Sequence, residues 1–256
     1  MDILYIVGKG RSLCDNKELR YSLRSLAKYG KNIDRIFVAG YCPEWLSDDI
    51  IKIPFEQPYQ EKNISVHHKH CNIASTILHV IDNSDIGETF LVSMDDHMYV
   101  RDTNFNDYPV YVSAKPYNEG NDRTLLPSKQ MGVPEYQSAL SDTREILESM
   151  GLPFYCFCIH RNMYMSRNFL NEYRETITSM INTGKIAEIF AFWGNAEMKN
   201  HLEYTPIKDV LVRGGEEWWK TDPRNTEVFS VVDFKENSGL DVLLEGLFPN
   251  KCKYEK

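Results

Sequence analysis

The chain has 256 residues, of which 42% are hydrophobic and 12% aromatic, enough to bury the core of one large domain. Its 29 basic and 37 acidic residues give a net charge of -8, which excludes a general attraction to nucleic acid or to an anionic membrane. No run approaches the roughly 20 apolar residues of a membrane span, and the start lacks the marks of a signal peptide, so we expect a cytoplasmic protein with no membrane partner.

The first part of the chain alternates apolar runs with amphipathic segments. DILYIVG predicts a buried first strand, and DNKELRYSLRSLAKYG predicts a helix that Asp15 caps, with Glu18 as its capping-box partner, and that Gly30 ends. DRIFVAG, IIKIP and ETFLVSMDDHMYV predict further strands, whereas the polar residues 55–69 predict a loop and residues 72–81 a helix. This order indicates an α/β fold whose parallel sheet binds ligands at the carboxyl ends of its strands.

The second part of the chain is less regular. Residues 102–137 mix Pro, Asn, Asp and Gly with short strand-like pieces, which predicts an elaborated region over the site. SDTREILESMG predicts a helix capped by Ser141 or Asp142, and FYCFCIH predicts a strand. Helices are expected over residues 166–182 and 187–201, followed by a strand in EVFSVVDF and a helix in GLDVLLEGLF. We expect a single domain over residues 1–256.

Two adjacent carboxylates end the strand FLVS. Asp95 and Asp96 repel each other and are costly to desolvate there, so we expect a positive group nearby. A divalent metal that bridges diphosphate oxygens meets this need, because Mg²⁺ and Mn²⁺ take hard oxygen ligands. The metal candidates are therefore Asp95, Asp96 and the neighbouring His97. A turn in which the aspartates cap backbone amides is the alternative that the pattern leaves open.

A glycine-flanked loop and the helix after it carry a group of basic residues. Exposed backbone amides and a helix N-terminus at this place form an anion site. The two arginines within the helix lie four residues apart, so they share one face and could clamp a phosphate. Ordinary solvated helix charges are the alternative. The candidates for binding a phosphate-containing cofactor are Gly8, Lys9, Arg11, Asn16, Arg20 and Arg24.

His160 and Arg161 follow the strand-like run FYCFCI. Such a histidine could act as general base toward an acceptor hydroxyl, with the arginine stabilising phosphate charge, and a structural histidine is the alternative. A second histidine group lies in the predicted polar loop and the helix after it, and has no cysteine partners. It favours a substrate-facing loop over a metal site, and it consists of His67, His68, His70 and His79.

Four sequence blocks carry a family resemblance. They are DNKELRYSLRSLAKYGKNIDRIFVAGYCPEWL, FLVSMDDHMYV, SDTREILESMGLPFYCFCIHRNMYM and VFSVVDFKENSGLDVLLEGLFPNKCKYEK. In this order they resemble the blocks of the Stealth family of sugar-phosphate transferases, which includes bacterial capsule polymerases. The resemblance implies a GT-A-like fold, with a mixed, mainly parallel sheet flanked by helices and a helical C-terminal part. It also implies a nucleotide-sugar donor such as a UDP-sugar, and Mg²⁺ or Mn²⁺.

The resemblance also implies a division of labour along the chain. Residues 1–101 would form the nucleotide-sugar-binding half, and residues 102–256 the acceptor and helical half. The implied roles place Asp95 and Asp96 on the metal and diphosphate, and His160 as the base. Arg20 and Arg24 would stand near the donor, and Asp233 in VVDF would be a second active-site acid. The first loop reads Val-Gly-Lys-Gly where the family has a Trp-Val-Asp-Gly type, which leaves the donor nucleotide and the bond broken open.

Three functions follow as alternatives. In sugar-phosphate transfer the acceptor hydroxyl attacks phosphorus, whereas in glycosyl transfer it attacks the anomeric carbon. The acceptor is a saccharide in the first alternative. In a phage-encoded enzyme that acts in the host cytoplasm, it is a hydroxymethylated base flipped out of DNA. The negative net charge of the chain does not indicate DNA binding. A non-catalytic module that binds a sugar or nucleotide is the alternative from another class.

Overall fold

The computed structural model describes residues 1–8, 15–60, 64–113, 125–128, 134–198, 203–207, 210–213, 226–232 and 234–256. Within these ranges the strands are β1 (Asp2–Val7), β2 (Gly30–Lys31), β3 (Ile36–Gly40), β4 (Ile50–Pro54), β5 (Thr89–Met94), β6 (His97–Tyr99), β7 (Thr103–Asn104), β8 (Tyr111–Ser113), β9 (Met163–Ser166), β10 (Thr205–Ile207), β11 (Leu211–Arg213) and β12 (Val228–Val232). The α-helices are α1 (Lys17–Tyr29), α2 (Val66–Asn83), α3 (Glu135–Ser149), α4 (Arg167–Glu172), α5 (Arg174–Thr183), α6 (Ile189–Glu197) and α7 (Gly239–Leu247).

A five-stranded sheet in the order β4-β3-β1-β5-β9 forms the centre of the fold. β1, β3, β4 and β5 run parallel, and β9 pairs antiparallel with β5. All six residues of β1 are buried, as expected for a central strand covered on both faces. The predicted α/β fold with a mainly parallel sheet flanked by helices is therefore confirmed.

A smaller sheet in the order β11-β12-β6 extends from the end of β5. β12 pairs antiparallel with β6, which follows β5 after a two-residue turn. α1 and α7 contribute side chains to a second hydrophobic cluster under this sheet. Its buried members are Tyr21, Met98, Val212, Phe229, Val231, Leu240, Leu244 and Phe248.

The start of α1 differs from the predicted cap. Asp15 and Asn16 both adopt positive φ, 52° and 53°, and Asn16 occupies the N-cap position without a side-chain capping bond. The predicted Asp15 capping box is therefore wrong, because the left-handed backbone of both residues directs the chain into the helix. Gly30 ends α1 as predicted, and its N–H donates to the Leu26 carbonyl.

Two predicted segments in the middle of the chain are wrong. Helix α2 begins at Val66, inside the predicted polar loop, because the Ser65 side chain accepts from the His68 N–H and caps it. All four histidines of this region therefore lie on a helix. Helix α3 begins at Glu135, so Ser141 and Asp142 lie inside it and do not cap it.

The run FYCFCIH does not form the predicted strand. Among the described residues it makes one isolated bridge, between Leu125 and Tyr155, and the Cys156 carbonyl accepts from the Ser113 N–H at 2.8 Å. The Tyr155 N–H donates to Asn195 Oδ1 at 2.7 Å, and Asn195 Nδ2 donates to the Tyr155 carbonyl at 2.9 Å. A buried side-chain amide from α6 thus satisfies backbone groups that a neighbouring strand would otherwise pair. The strand begins later, at Met163. Among the described helices, none is long and apolar enough to cross a bilayer.

Candidate functional site

The strand order changes direction between β1 and β5. β1 connects through α1 to β3 on one side, and the chain returns through α2 to place β5 on the other side of β1. Ligands of open α/β sheets bind in the crevice at such a switch point, outside the carboxyl ends of the strands. Ile6 pairs with Met94, so Val7, the last residue of β1, lies beside Asp95.

Asp96 is the centre of a polar cluster at this edge. Its Oδ2 accepts a hydrogen bond from Ser230 Oγ at 2.5 Å and lies 3.8 Å from His160 Nδ1. Ser230 Oγ also lies 3.2 Å from His160 Nδ1. On the other side, Asp96 Oδ1 lies 3.7 Å from His97 Nε2. One carboxylate therefore contacts two imidazoles and a hydroxyl.

Two strand pairings bring these residues together. The antiparallel pair β12–β6 sets Ser230 opposite His97, directly after the aspartates. The antiparallel pair β9–β5 sets Met163 opposite Val92, so that His160, three residues before Met163, approaches the carboxyl end of β5. Ser230 thus contacts Asp96, which is 134 residues away in the sequence, and His160, which is 70 residues away.

The environment drives the two carboxyl pKa values apart. Burial raises the pKa of Asp95 to about 7, and the charges of Asp96 and Glu18 act in the same direction. Burial also acts to raise the pKa of Asp96, but the hydrogen bond to His160 and the charge of His97 outweigh it and hold this pKa below its usual value. At neutral pH Asp96 is ionised, whereas Asp95 is close to its titration midpoint.

The donor atoms around Asp96 fit a divalent cation. Within the described ranges, one ligand atom from each of Asp96, His97 and His160 lies within 4.8 Å of the others. Asp96 Oδ1 is buried and has no hydrogen-bond partner, which a cation would supply. One carboxylate and two imidazoles suit Mn²⁺ or Zn²⁺ better than Mg²⁺, which prefers oxygen ligands. Of the predicted metal residues, Asp96 and His97 belong to this group; Asp95 does not, and His160 joins it.

Arg161 and Asn162 are buried next to His97, and both have N–H groups without a hydrogen-bond partner. Arg161 is 3% exposed, and its Nε and Nη1 have no hydrogen-bond partner, while Nη2 lies 3.5 Å from Thr226 Oγ1. Asn162 Oδ1 accepts from the Tyr99 hydroxyl at 2.5 Å and lies 3.4 Å from His97 Nδ1. Its Nδ2 has no partner either. Unpaired buried donors of this kind are costly unless an acceptor reaches them.

A cavity of about 710 Å³ opens at the same edge of the sheet, at the carboxyl ends of β1, β3 and β4. Gly8 lines it, together with the rings of Tyr41, Phe55 and Tyr59. Histidines of α2 stack against two of these rings, with centroid distances of 3.9 Å at Tyr59 and 4.5 Å at Phe55. These stacks hold the rings in place, which is the role that the structure gives to His68 and His79.

The predicted phosphate-binding arginines have protein partners. Arg24 donates from Nε and Nη2 to the Glu255 carboxylate at 2.7 and 3.0 Å, and from Nη1 to the Phe248 carbonyl at 3.0 Å. Arg20 Nη1 donates to the same carboxylate at 3.3 Å, and its guanidinium lies 4.1 Å from the Trp45 ring. The planar guanidinium of Arg24 therefore binds the Glu255 carboxylate through two parallel hydrogen bonds, which is the geometry that would otherwise bind a phosphate. A phosphate role for either arginine stays a prediction.

The remaining predicted residues divide into two groups. Asn16 is 6% exposed and forms the start of α1. Lys9, Arg11 and Asp233 lie outside the described residues.

Two residues of the cluster were not predicted from the sequence. Ser230 was not predicted, because a serine within the apolar run VFSVV has no feature that distinguishes it from a structural serine. Asn162 was not predicted either, because its role follows only from its contact with His97 in the folded chain.

No family model matches the chain, and no curated protein matches it. The resemblance to the Stealth family therefore stays a prediction that rests on the sequence blocks quoted above.

Proposed function

We propose that the chain is a transferase that moves a sugar-1-phosphate, or a sugar, from a nucleoside diphosphate sugar to an acceptor hydroxyl. The observation that carries the proposal is the convergence of Asp96, His97 and His160 at the switch point of the sheet. Two adjacent carboxyl groups whose pKa values are shifted in opposite directions favour a functional site over a structural ion pair. The finer assignment to a GT-A-like fold is part of the same proposal.

The donor nucleoside, a uridine in the simplest case, would occupy the cavity beside Gly8. Its aromatic lining offers flat surfaces for a base, and its volume of about 710 Å³ lies in the range of small-molecule sites. The diphosphate would then extend along the edge of the sheet toward Asp96, because β5 is the strand next to β1. This path stays within residues 1–101, the proposed nucleotide-sugar-binding half.

His160 is the proposed general base. Asp96 is ionised, and its Oδ2 accepts a hydrogen bond from the Ser230 hydroxyl with an oxygen-to-oxygen distance of 2.5 Å, so the Ser230 oxygen can accept from His160 Nδ1–H. This tautomer leaves His160 Nε2 unprotonated and therefore basic, and the side chain is 41% exposed. The proton of the acceptor hydroxyl would pass to Nε2. The acceptor oxygen would attack phosphorus, breaking the P–O bond to a leaving nucleoside monophosphate, or the anomeric carbon, breaking the C–O bond to a leaving nucleoside diphosphate.

Asp96 and His97 would hold the cation in this arrangement. When bound, a divalent cation supplies positive charge that stabilises the diphosphate and the leaving nucleotide. His160 cannot serve as both base and ligand, because a neutral imidazole that binds a cation through Nδ1 carries its proton on Nε2. The geometry with Ser230 favours the base role.

Turnover of a panel of nucleotide sugars, with Mn²⁺, Mg²⁺ or chelator and with mono- and oligosaccharide acceptors, tests the proposal. Release of a nucleoside monophosphate would identify phosphoryl transfer, and release of a diphosphate would identify glycosyl transfer. We expect Asp96→Asn to lose both Mn²⁺ affinity and turnover. His160→Gln should lose at least about a hundredfold in turnover but keep its Mn²⁺ affinity. Asp49→Asn, an exposed aspartate away from the cavity, is the matched control.

Two results would contradict the proposal. If no nucleotide sugar is hydrolysed or transferred while a nucleotide still binds, the chain is a binding module on the same fold. If His160→Gln removes Mn²⁺ binding together with turnover, His160 is a ligand and the base must be sought elsewhere.

A further inference from the structure

A second cavity, of about 560 Å³, lies at the opposite end of β5 from Asp96. Thr89 begins β5 and pairs with Ser166, the last residue of β9, and both residues line the cavity. At about 3.3 Å per residue, the seven steps from Thr89 to Asp96 separate this cavity from the acidic cluster by roughly 20 Å. The cavity is therefore a separate site.

Aromatic rings form much of its lining. Tyr108, Tyr164, Trp193 and Tyr204 all line it. The rings of Tyr164 and Trp193 lie 6.2 Å apart with an interplanar angle of 31°. The Tyr164 hydroxyl donates to the Tyr108 carbonyl at 2.7 Å, which holds that ring in place. Rings held in this way pack against the flat apolar faces of a ligand.

The polar lining selects against anions. Glu197 and Glu203 line the cavity, and none of the described residues that line it is Lys or Arg. Their negative charge disfavours phosphates and nucleotides. Trp193 Nε1 is buried and has no hydrogen-bond partner. This N–H is shielded from the cavity, so the two glutamates provide the polar contacts. Hydroxyl groups donate hydrogen bonds to carboxylates and add no negative charge, so a neutral ligand with several hydroxyl groups fits this lining.

We propose that this cavity binds a neutral saccharide. A pyranose ring would lie against Tyr164 and Trp193, and its hydroxyl groups would donate to the Glu203 carboxylate. This inference does not depend on the transfer reaction, because it concerns binding alone. In a sugar transferase the cavity would hold a distant part of the acceptor chain. β9 joins the two places, since Tyr164 and Ser166 line the cavity and His160 precedes the strand.

Isothermal titration calorimetry with cellotetraose, maltotetraose and N-acetylchitotetraose tests the inference on the full chain without donor or metal. Choline and inorganic phosphate are the charged probes. We expect at least one tetrasaccharide to bind at millimolar concentration or below, and phosphate not to bind at this cavity. If all three tetrasaccharides fail to bind, or if choline binds here and competes with them, the proposed saccharide site is wrong.

Variants assign the binding to this cavity. Trp193→Phe should weaken the tetrasaccharide by about tenfold, because it removes part of the ring surface that the sugar would contact. Glu203→Gln changes an exposed residue, so it tests the site even if Trp193→Phe fails to fold. It should weaken binding about threefold or more. Glu175→Gln, an exposed glutamate on α5, and Tyr41→Phe, in the other cavity, should leave the affinity unchanged. Unchanged affinity in both Trp193→Phe and Glu203→Gln would overturn the assignment.

Discussion

Replacing Glu255 by Gln should destabilise the fold more than any surface charge change. The Glu255 side chain is 1% exposed, and Arg24, 15% exposed, contacts both of its oxygens at 2.7 and 3.0 Å. The Cys252 N–H donates to the same carboxylate at 3.1 Å. Glu255→Gln would leave a mostly buried guanidinium without its counter-charge, which costs about 3 to 5 kcal/mol. The more exposed contact with Arg20 adds less than about 1 kcal/mol.

Urea unfolding at pH 7 measures this loss. Glu148→Gln is the matched control, because Glu148 is 45% exposed and pairs with Arg144 at a similar distance, 2.8 Å, on the surface of α3. It should cost less than about 0.5 kcal/mol. The effect at Glu255 should also depend on pH. Burial acts to raise its pKa, but Arg24 outweighs it and the pKa lies below its usual value. The stabilisation is therefore present above the unfolded-state pKa and is lost as the pH falls through the folded-state value.

A loss of less than about 1 kcal/mol in Glu255→Gln, or one no larger than that of the Glu148 control, would show that Arg24 and Glu255 do not form a buried charge pair. The same experiment bears on the predicted phosphate role of Arg24. A structural Arg24 predicts that Arg24→Gln and Glu255→Gln each lose stability and that the double variant loses less than the sum. An Arg24 that binds the donor diphosphate instead predicts a loss of nucleotide-sugar affinity in Arg24→Gln that Glu255→Gln does not share.

Three further changes have defined outcomes in the same unfolding assay. Because burial and nearby carboxylates raise the folded-state pKa of Asp95 to about 7, the folded state loses stability as the pH rises from about 4 to 7. Asp95→Asn should therefore stabilise the metal-free protein at pH 8 and have little effect on its stability at pH 4. Equal changes in unfolding free energy at the two pH values would contradict this. Gly194→Ala should destabilise the protein by about 1 to 3 kcal/mol, since the added Cβ would lie 2.5 Å from the Phe157 ring. Gly246→Ala in α7, where a Cβ meets nothing within 4 Å, should stabilise by about 0.5 to 1 kcal/mol. A loss there would show that the helix tolerates no side chain.

Local patterns were sufficient for the first part of the fold. β1, α1, β3, β4 and β5 lie where their apolar runs predicted them, because burial in the central sheet imposes a hydrophobic pattern on each segment separately. Patterns failed where one residue changed the outcome. The Ser65 cap extended α2 into a polar stretch, and the Asn195 amide took the backbone bonds of Tyr155 that a strand would have used.

The paired aspartates after β5 and the histidine of FYCFCIH can be read directly from the chain, because each belongs to a short local pattern. The acidic net charge can be read from the chain as well, because it depends on composition alone. Tertiary structure alone decided that Asp96, His160 and Ser230 meet, since strand pairing, and no spacing rule, closes gaps of up to 134 residues. It also decided that Arg24 pairs with Glu255, 231 residues away. The interaction energy of two charges depends on their distance in space, and this distance is set by how the apolar faces of the helices and strands pack.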